Sequence, residues 1–196
     1  MELQTVAFFG ISGAGKGTQA TLLEKSLKDK DSDHGIIRPE MGNLLRNFMK
    51  SASPFADKIG QIVTNGGLVP SFMPIHLLIK MLEEKFDGMQ HLILDGTCRR
   101  PDQSRALNDV ARMWGREKLD VIVLALSKET AKKRLISRGR MDDAKDEVIQ
   151  SRFAWYQEQV VPAIDELKNL GWKIHEIDGE LDIETGHKKI LSVLGL

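Results

Sequence analysis

Near its start the chain reads Gly10-Ile11-Ser12-Gly13-Ala14-Gly15-Lys16-Gly17-Thr18. Glycines at this density let a backbone take positive φ and approach anionic oxygens closely. The N–H groups of such a turn converge on one point, and a helix that follows adds the positive end of its dipole. Lys16 brings a full charge and Thr18 a hydroxyl in the first helical turn. These features specify a polyphosphate cradle, with Gly13, Ala14, Gly15, Lys16, Gly17 and Thr18 as its phosphate-binding residues. The general phosphate-loop pattern has Ser or Thr directly after the lysine. Here Gly17 intervenes and the hydroxyl comes one place later.

Phosphate chemistry also needs cations. Lys plus Arg and Asp plus Glu number 28 each, so the chain has no net charge and any anion site must concentrate positive charge locally. A balanced chain with 6% aromatic residues is a poor nucleic-acid coat, and no nucleic-acid partner is expected. Arg134 and Arg138 are four apart and share a face if helical, an arrangement that by itself also suits a solvated surface. The single cysteine, Cys98, allows no intrachain disulfide and no cysteine-based zinc site, and the five histidines show no ligand spacing. No stretch approaches membrane-spanning length and no signal segment is visible, so the expectation is a cytoplasmic protein without a membrane partner.

The loop can work only if a strand and a helix hold it. Apolar runs alternate with helical patterns along the 196 residues, which predicts one α/β domain with a parallel sheet of five strands covered by helices. The strands are expected at Thr5–Phe9, Gly35–Arg38, His91–Leu94, Lys118–Leu126 and Trp172–Ile177. The first helix should start near Lys16 and bury Ala20, Leu23 and Leu27. Helical patterns follow around Leu44 to Val63, ending at Gly66-Gly67 as a C-cap would, and another opens at Pro70 or Pro74. A helix should run from about Pro101 to Trp114, and Ser127 should cap a helix through Arg138. A long pattern after Asp142-Asp143 reaches about Leu170, with Pro162 kinking or dividing it. The last helix should bury Ile183, Ile190, Leu191 and Leu194.

The form G-x-x-G-x-G-K-G-T resembles the adenylate kinase branch of the nucleoside monophosphate kinases, and other segments agree in order. Gly42-Asn43-Leu44-Leu45-Arg46 is similar to that family's T-G-D-L-L-R, and Gly67-Leu68-Val69-Pro70 to its G-x-L-V-P. Leu94-Asp95-Gly96-Thr97-Cys98-Arg99, with Gln103 four residues on, resembles L-D-G-F-P-R…Q. Arg134-Leu135-Ile136-Ser137-Arg138-Gly139-Arg140-Met141-Asp142-Asp143 resembles the lid, and Arg152, Tyr156 and Pro162 the segment after it. The resemblance implies a phosphotransferase that converts ATP and a nucleoside monophosphate, AMP first among them, into two diphosphates with Mg2+. It implies a monophosphate-binding insert over residues 40–69 and a short lid over 134–143, within a single domain of residues 1–196. Arg46 and Arg99 would hold the monophosphate's phosphate, in a pocket shared by Met41, Gly42, Gly67, Leu68, Val69, Asp95, Gly96 and Gln103. Gln103 would read the base. Lys16, Arg99, Arg134, Arg138, Arg140 and Arg152 would surround the transferring group, and Asp95 would hold the metal through water. A monomer is the family's common state.

The chain also departs from that pattern. Thr97-Cys98 replaces an aromatic-proline pair, which predicts a trans bond there, since a cis bond without proline costs about 3 kcal/mol. Cys98 beside Arg99 is either a packed small side chain or an activated thiol; packing is the expectation. Asn43 stands where the family has aspartate, and Glu40-Met41 where it has small hydroxyl residues beside the base. Met41 could simply pack, whereas Glu40 could read a donor edge such as guanine's. A kinase for UMP, CMP or GMP is therefore an alternative, and a catalytically silent nucleotide-binding module is another.

Overall fold

The computed structural model describes residues 1–139 and 146–196. In them five strands form an all-parallel sheet: β1 Thr5–Gly10, β2 Ile36–Ile37, β3 His91–Asp95, β4 Leu119–Ala125 and β5 Lys173–Asp178. Their order is β2-β3-β1-β4-β5. β1 is buried along its whole length and pairs with β3 on one side and β4 on the other. Its alternate side chains feed two cores. Ala7 and Phe9 enter the larger one, whereas Val6 and Phe8 enter a second on the opposite face. That period of two explains why a central strand reads as an unbroken apolar run.

Helices cover both faces. α1 (Lys16–Lys30) and α9 (Ile183–Leu194) close the smaller core with Ala20, Leu23, Leu27, Ile190 and Leu194. α4 (Phe72–Lys85), α5 (Pro101–Met113), α6 (Lys128–Arg138), α7 (Asp146–Trp155) and α8 (Val161–Asn169) contribute to the other. α2 (Met41–Met49) and α3 (Pro54–Thr64) stand between β2 and α4 and pack on each other. Ser127 caps α6 by accepting from the Thr130 N–H, as its position predicts.

Pro162 divides the long helical pattern as expected, through a π-helical turn over Tyr156–Val160 that runs directly into α8. Two local readings change. Neither candidate proline opens α4, which starts at Phe72 with Pro74 already inside its first turn. Ile183 is exposed, because it lies at the open first turn of α9 rather than on its packed face. The lid residues Arg140, Met141, Asp142 and Asp143 lie outside the described residues.

Candidate active site

The strands' C-terminal ends share one side of the sheet. At Gly10 the chain leaves β1 beside the point where the strand order reverses, the place where ligands bind in open α/β sheets. Gly13 and Gly15 both take φ of 92°, which L side chains rarely adopt. At Gly13 a Cβ would also stand 2.7 Å from the carbonyl oxygen of Ala131 in α6, so the loop needs glycine to pass beneath that helix. Gly15 is then the N-cap of α1. Lys16 folds back across the loop, its ammonium donating to the carbonyls of Gly10 (2.7 Å) and Ile11 (3.1 Å).

At Gly17 a Cβ would lie 3.3 Å from Oδ2 of Asp95, at the end of β3, so a side chain there would crowd that carboxylate. Thr18 supplies the hydroxyl one place on.

A cleft of about 1410 Å³ opens over the loop. That exceeds the usual range for one small ligand, roughly 300–1,000 Å³. Arg46 from α2, Arg99 from the turn after β3, Arg134 and Arg138 from α6, and Arg152 from α7 all line it, with Lys16 and Arg38. Five separate segments thus deliver guanidinium groups to one space. The electrostatics register the crowding. Burial pushes Lys16 down to about 8; Asp95 opposes the shift, and Arg99 and Arg138 reinforce it. Burial likewise pushes Arg99 down to about 10, with Arg152 adding to the effect and Asp95 opposing it. Cations that depress one another mark a site short of negative charge.

Gly42, Gly67, Val69, Asp95 and Gly96 line the cleft beside these arginines. Met41, Leu68 and Gln103 do not. Met41 is fully buried in the larger core, which settles its packing role. The Leu68 carbonyl accepts from Arg100. Gln103 is buried with its amide committed inward: Oε1 accepts from the Arg99 N–H (2.8 Å) and Nε2 donates to Ser71 Oγ (3.4 Å). In this arrangement Gln103 sets the backbone of Arg99 and does not line the cleft. Arg140 falls outside the described residues. Among the described residues no peptide bond is cis, Thr97–Cys98 included. Cys98 is buried, and burial pushes its thiol up to about 12, which excludes an activated thiolate.

Sequence patterns missed several lining groups. Asp178, Gly179, Glu180, Leu181, Asp182 and Ile183 form the end of the cleft beyond β5. Arg134 Nη2 donates to the Gly179 carbonyl (3.0 Å) and Gln19 Nε2 to that of Ile183 (3.0 Å), tying this end to α6 and α1. No motif marks these residues; their place after a strand's C-terminal end is the one signal that points to them. Trp155 is a second case. The Arg99 guanidinium lies over its ring, 5.2 Å from the centroid, while its indole N–H donates to the Gly66 carbonyl (3.1 Å). Arg38 is a third.

Asp31, His34 and His91 cluster at the opposite end of the sheet. The Gln4 N–H donates to Nδ1 of His91 (3.0 Å), so the ring proton sits on Nε2, where it meets Asp31 Oδ2 (3.2 Å). A metal ligand needs that nitrogen bare. The cluster is therefore a polar anchor between α1 and β3, with hydrogen bonding from His34 as the main cause of holding Asp31 down to about 2.

A phosphate loop after the first strand of a sheet in this order is the architecture of P-loop phosphotransferases. The helical insert α2–α3, facing that loop across an arginine-lined cleft, makes this one a nucleoside monophosphate kinase. Residues 8–172 match the adenylate kinase family. The chain is 34% identical over 189 residues to an adenylate kinase of Prochlorococcus marinus (strain MIT 9211), covering 96% of both chains. It is 30% identical over 190 residues to one of Corynebacterium glutamicum (strain R), covering 97% of this chain and 98% of the relative. It is 32% identical over 188 residues to adenylate kinase 1 of Nostoc sp. (strain PCC 7120), covering 96% and 97%. The chain belongs to the adenylate kinase family.

Proposed function

We propose that the protein transfers the γ-phosphoryl group of ATP directly to AMP, forming two ADP. The observation that carries this reading is the single cleft in which the loop's Lys16 faces arginines from five segments. Such transfer spreads charge over the equatorial oxygens of the moving group, and fixed cations lower its barrier. A monophosphate's oxygen is already ionised near neutral pH, so the reaction asks for no general base, and among the described residues the cleft lining contains no histidine. Arg46 and Arg99 hold the acceptor's phosphate. Lys16, Arg134, Arg138 and Arg152 surround the transferring group. The residues from Asp178 to Ile183 receive the donor's base.

Magnesium suits the donor set present. Asp95 and Thr18 bring one carboxylate and one hydroxyl to the cleft beside Lys16, and Mg2+ takes such oxygens together with water and phosphate. Those two residues would hold the ion, Asp95 through water. When bound, the ion neutralises charge on the donor's terminal phosphates.

A coupled assay of ADP formation with ATP and a panel of monophosphates tests the reading. AMP should exceed UMP, CMP and GMP by at least about tenfold in kcat/KM, a gap of about 1.4 kcal/mol. Turnover with none of them would indicate a binding module, and a better substrate than AMP would overturn the assignment of the acceptor.

A further inference from the structure

Two of the chain's departures from its family's pattern, Glu40 and Asn43, touch each other. Glu40 Oε2 accepts a hydrogen bond from Nδ2 of Asn43, and Oδ1 of Asn43 accepts one from Arg46 Nη2. The other Glu40 oxygen pairs with Arg38 Nη2 at 3.1 Å. Arg38 is itself anchored to α1, through Thr21 Oγ1 (2.7 Å), Glu24 Oε2 (3.3 Å) and the Gly17 carbonyl (3.2 Å). An unbroken polar path therefore runs from the phosphate-loop helix to the guanidinium of Arg46.

An asparagine amide has an accepting end and a donating end. With Oδ1 toward Arg46 it attracts the guanidinium; flipped, it sets an NH2 against a cation. An ionised Glu40 can only accept, so it draws Nδ2 toward itself and leaves Oδ1 for Arg46. A carboxylate at position 43 would need no such orienting partner, since both of its ends accept. Glu40, in turn, is a negative charge on a cleft built for anions, and Arg38 neutralises it. With both oxygens engaged, Glu40 has no need of a base to satisfy it.

We propose that Glu40, held by Arg38, is a positioning residue: it fixes the amide of Asn43 and through it aims Arg46 at the phosphate of the acceptor monophosphate. This rests on the reading that Arg46 holds that phosphate.

The test uses the full chain, ATP and AMP, steady-state kinetics and calorimetric binding of AMP alone. Glu40→Ala should raise the acceptor KM and the AMP Kd about fivefold to tenfold, the discounted worth of a partly exposed charge-assisted contact. Donor KM should not move, and kcat should stay within about twofold. The double variant Glu40→Ala/Asn43→Asp should bring the acceptor KM back to within about twofold of the parent, because a carboxylate needs no orienter. A general loosening of α2 would not be rescued in this way. An unchanged acceptor KM in Glu40→Ala, or no rescue by Asn43→Asp in a variant that melts like the parent, would overturn the proposal. So would a switch of base preference in Glu40→Ala, which would assign Glu40 to base reading. Arg46→Ala separates the two layers: if it too leaves the acceptor KM unchanged, the acceptor-site reading itself has failed.

Discussion

Raising the pH from 7 to 9 should loosen the donor triphosphate through one group, Lys16. Burial is the chief cause that holds its ammonium at about 8, against an ordinary 10.5, with Arg99 and Arg138 adding to the shift. A triphosphate laid on the loop supplies the negative charge that those neighbours lack, so the bound lysine regains its proton affinity and binding above pH 8 draws a proton from solution. With the free protein's value at about 8, the protonated fraction falls from about nine-tenths at pH 7 to about one-tenth at pH 9, which weakens binding about tenfold, or about 1.4 kcal/mol. Arg99, at about 10, stays largely charged at pH 9. The assay is calorimetry with a β,γ-imido triphosphate and the divalent metal chelated, run in two buffers of different ionisation enthalpy, so that proton uptake near pH 8 is read directly. Lys16→Met should bind weakly at pH 7 and show no such slope. Folding carries a linked sign: the native lysine binds fewer protons than the unfolded one, so the parent's stability relative to Lys16→Met should rise between pH 8 and pH 10.5. Equal affinities at pH 7 and 9, or the same slope in Lys16→Met, would exclude Lys16 as the titrating group.

Three further outcomes follow from the geometry. Cys98, buried with its thiol pushed up to about 12, should resist iodoacetamide at pH 8 in the native protein and react fully once unfolded; rapid native alkylation, read by mass, would contradict its packing. Gly13→Ala should cost about 2 kcal/mol in thermal melts and at least about tenfold in donor affinity, because the new Cβ meets the Ala131 carbonyl at 2.7 Å. Trp155→Leu, which removes both the ring under Arg99 and the bond to Gly66, should raise the acceptor KM about fivefold, with Trp155→Phe between it and the parent.

Much of the fold was legible because its signals are local. β1 reads as an apolar run since both faces are buried, and Ser127 and Gly66 mark helix ends through hydrogen-bonding and backbone requirements that belong to single residues. The phosphate loop was legible for the same reason. What escaped is what depends on distant neighbours. Gln103 stands at the right spacing, yet its amide is claimed by the Arg99 backbone and Ser71, which no spacing reveals. Ile183 looks like a core residue and is exposed, because the first turn of α9 opens onto the cleft. The residues from Asp178 to Asp182 carry no pattern at all; they join the site only because β5 ends beside the loop. Glu40 and Asn43 could each be noticed as departures, but their mutual contact appears only once α2 folds.

Two nucleotides meeting end to end in one cleft are tested by inhibition and binding of a bisubstrate analogue, two adenosines joined by a five-phosphate chain. One analogue should bind per chain, competitive against both ATP and AMP, with binding lost in Lys16→Met and weakened in Arg46→Ala. Two analogues per chain, or competition against one substrate alone, would contradict that arrangement.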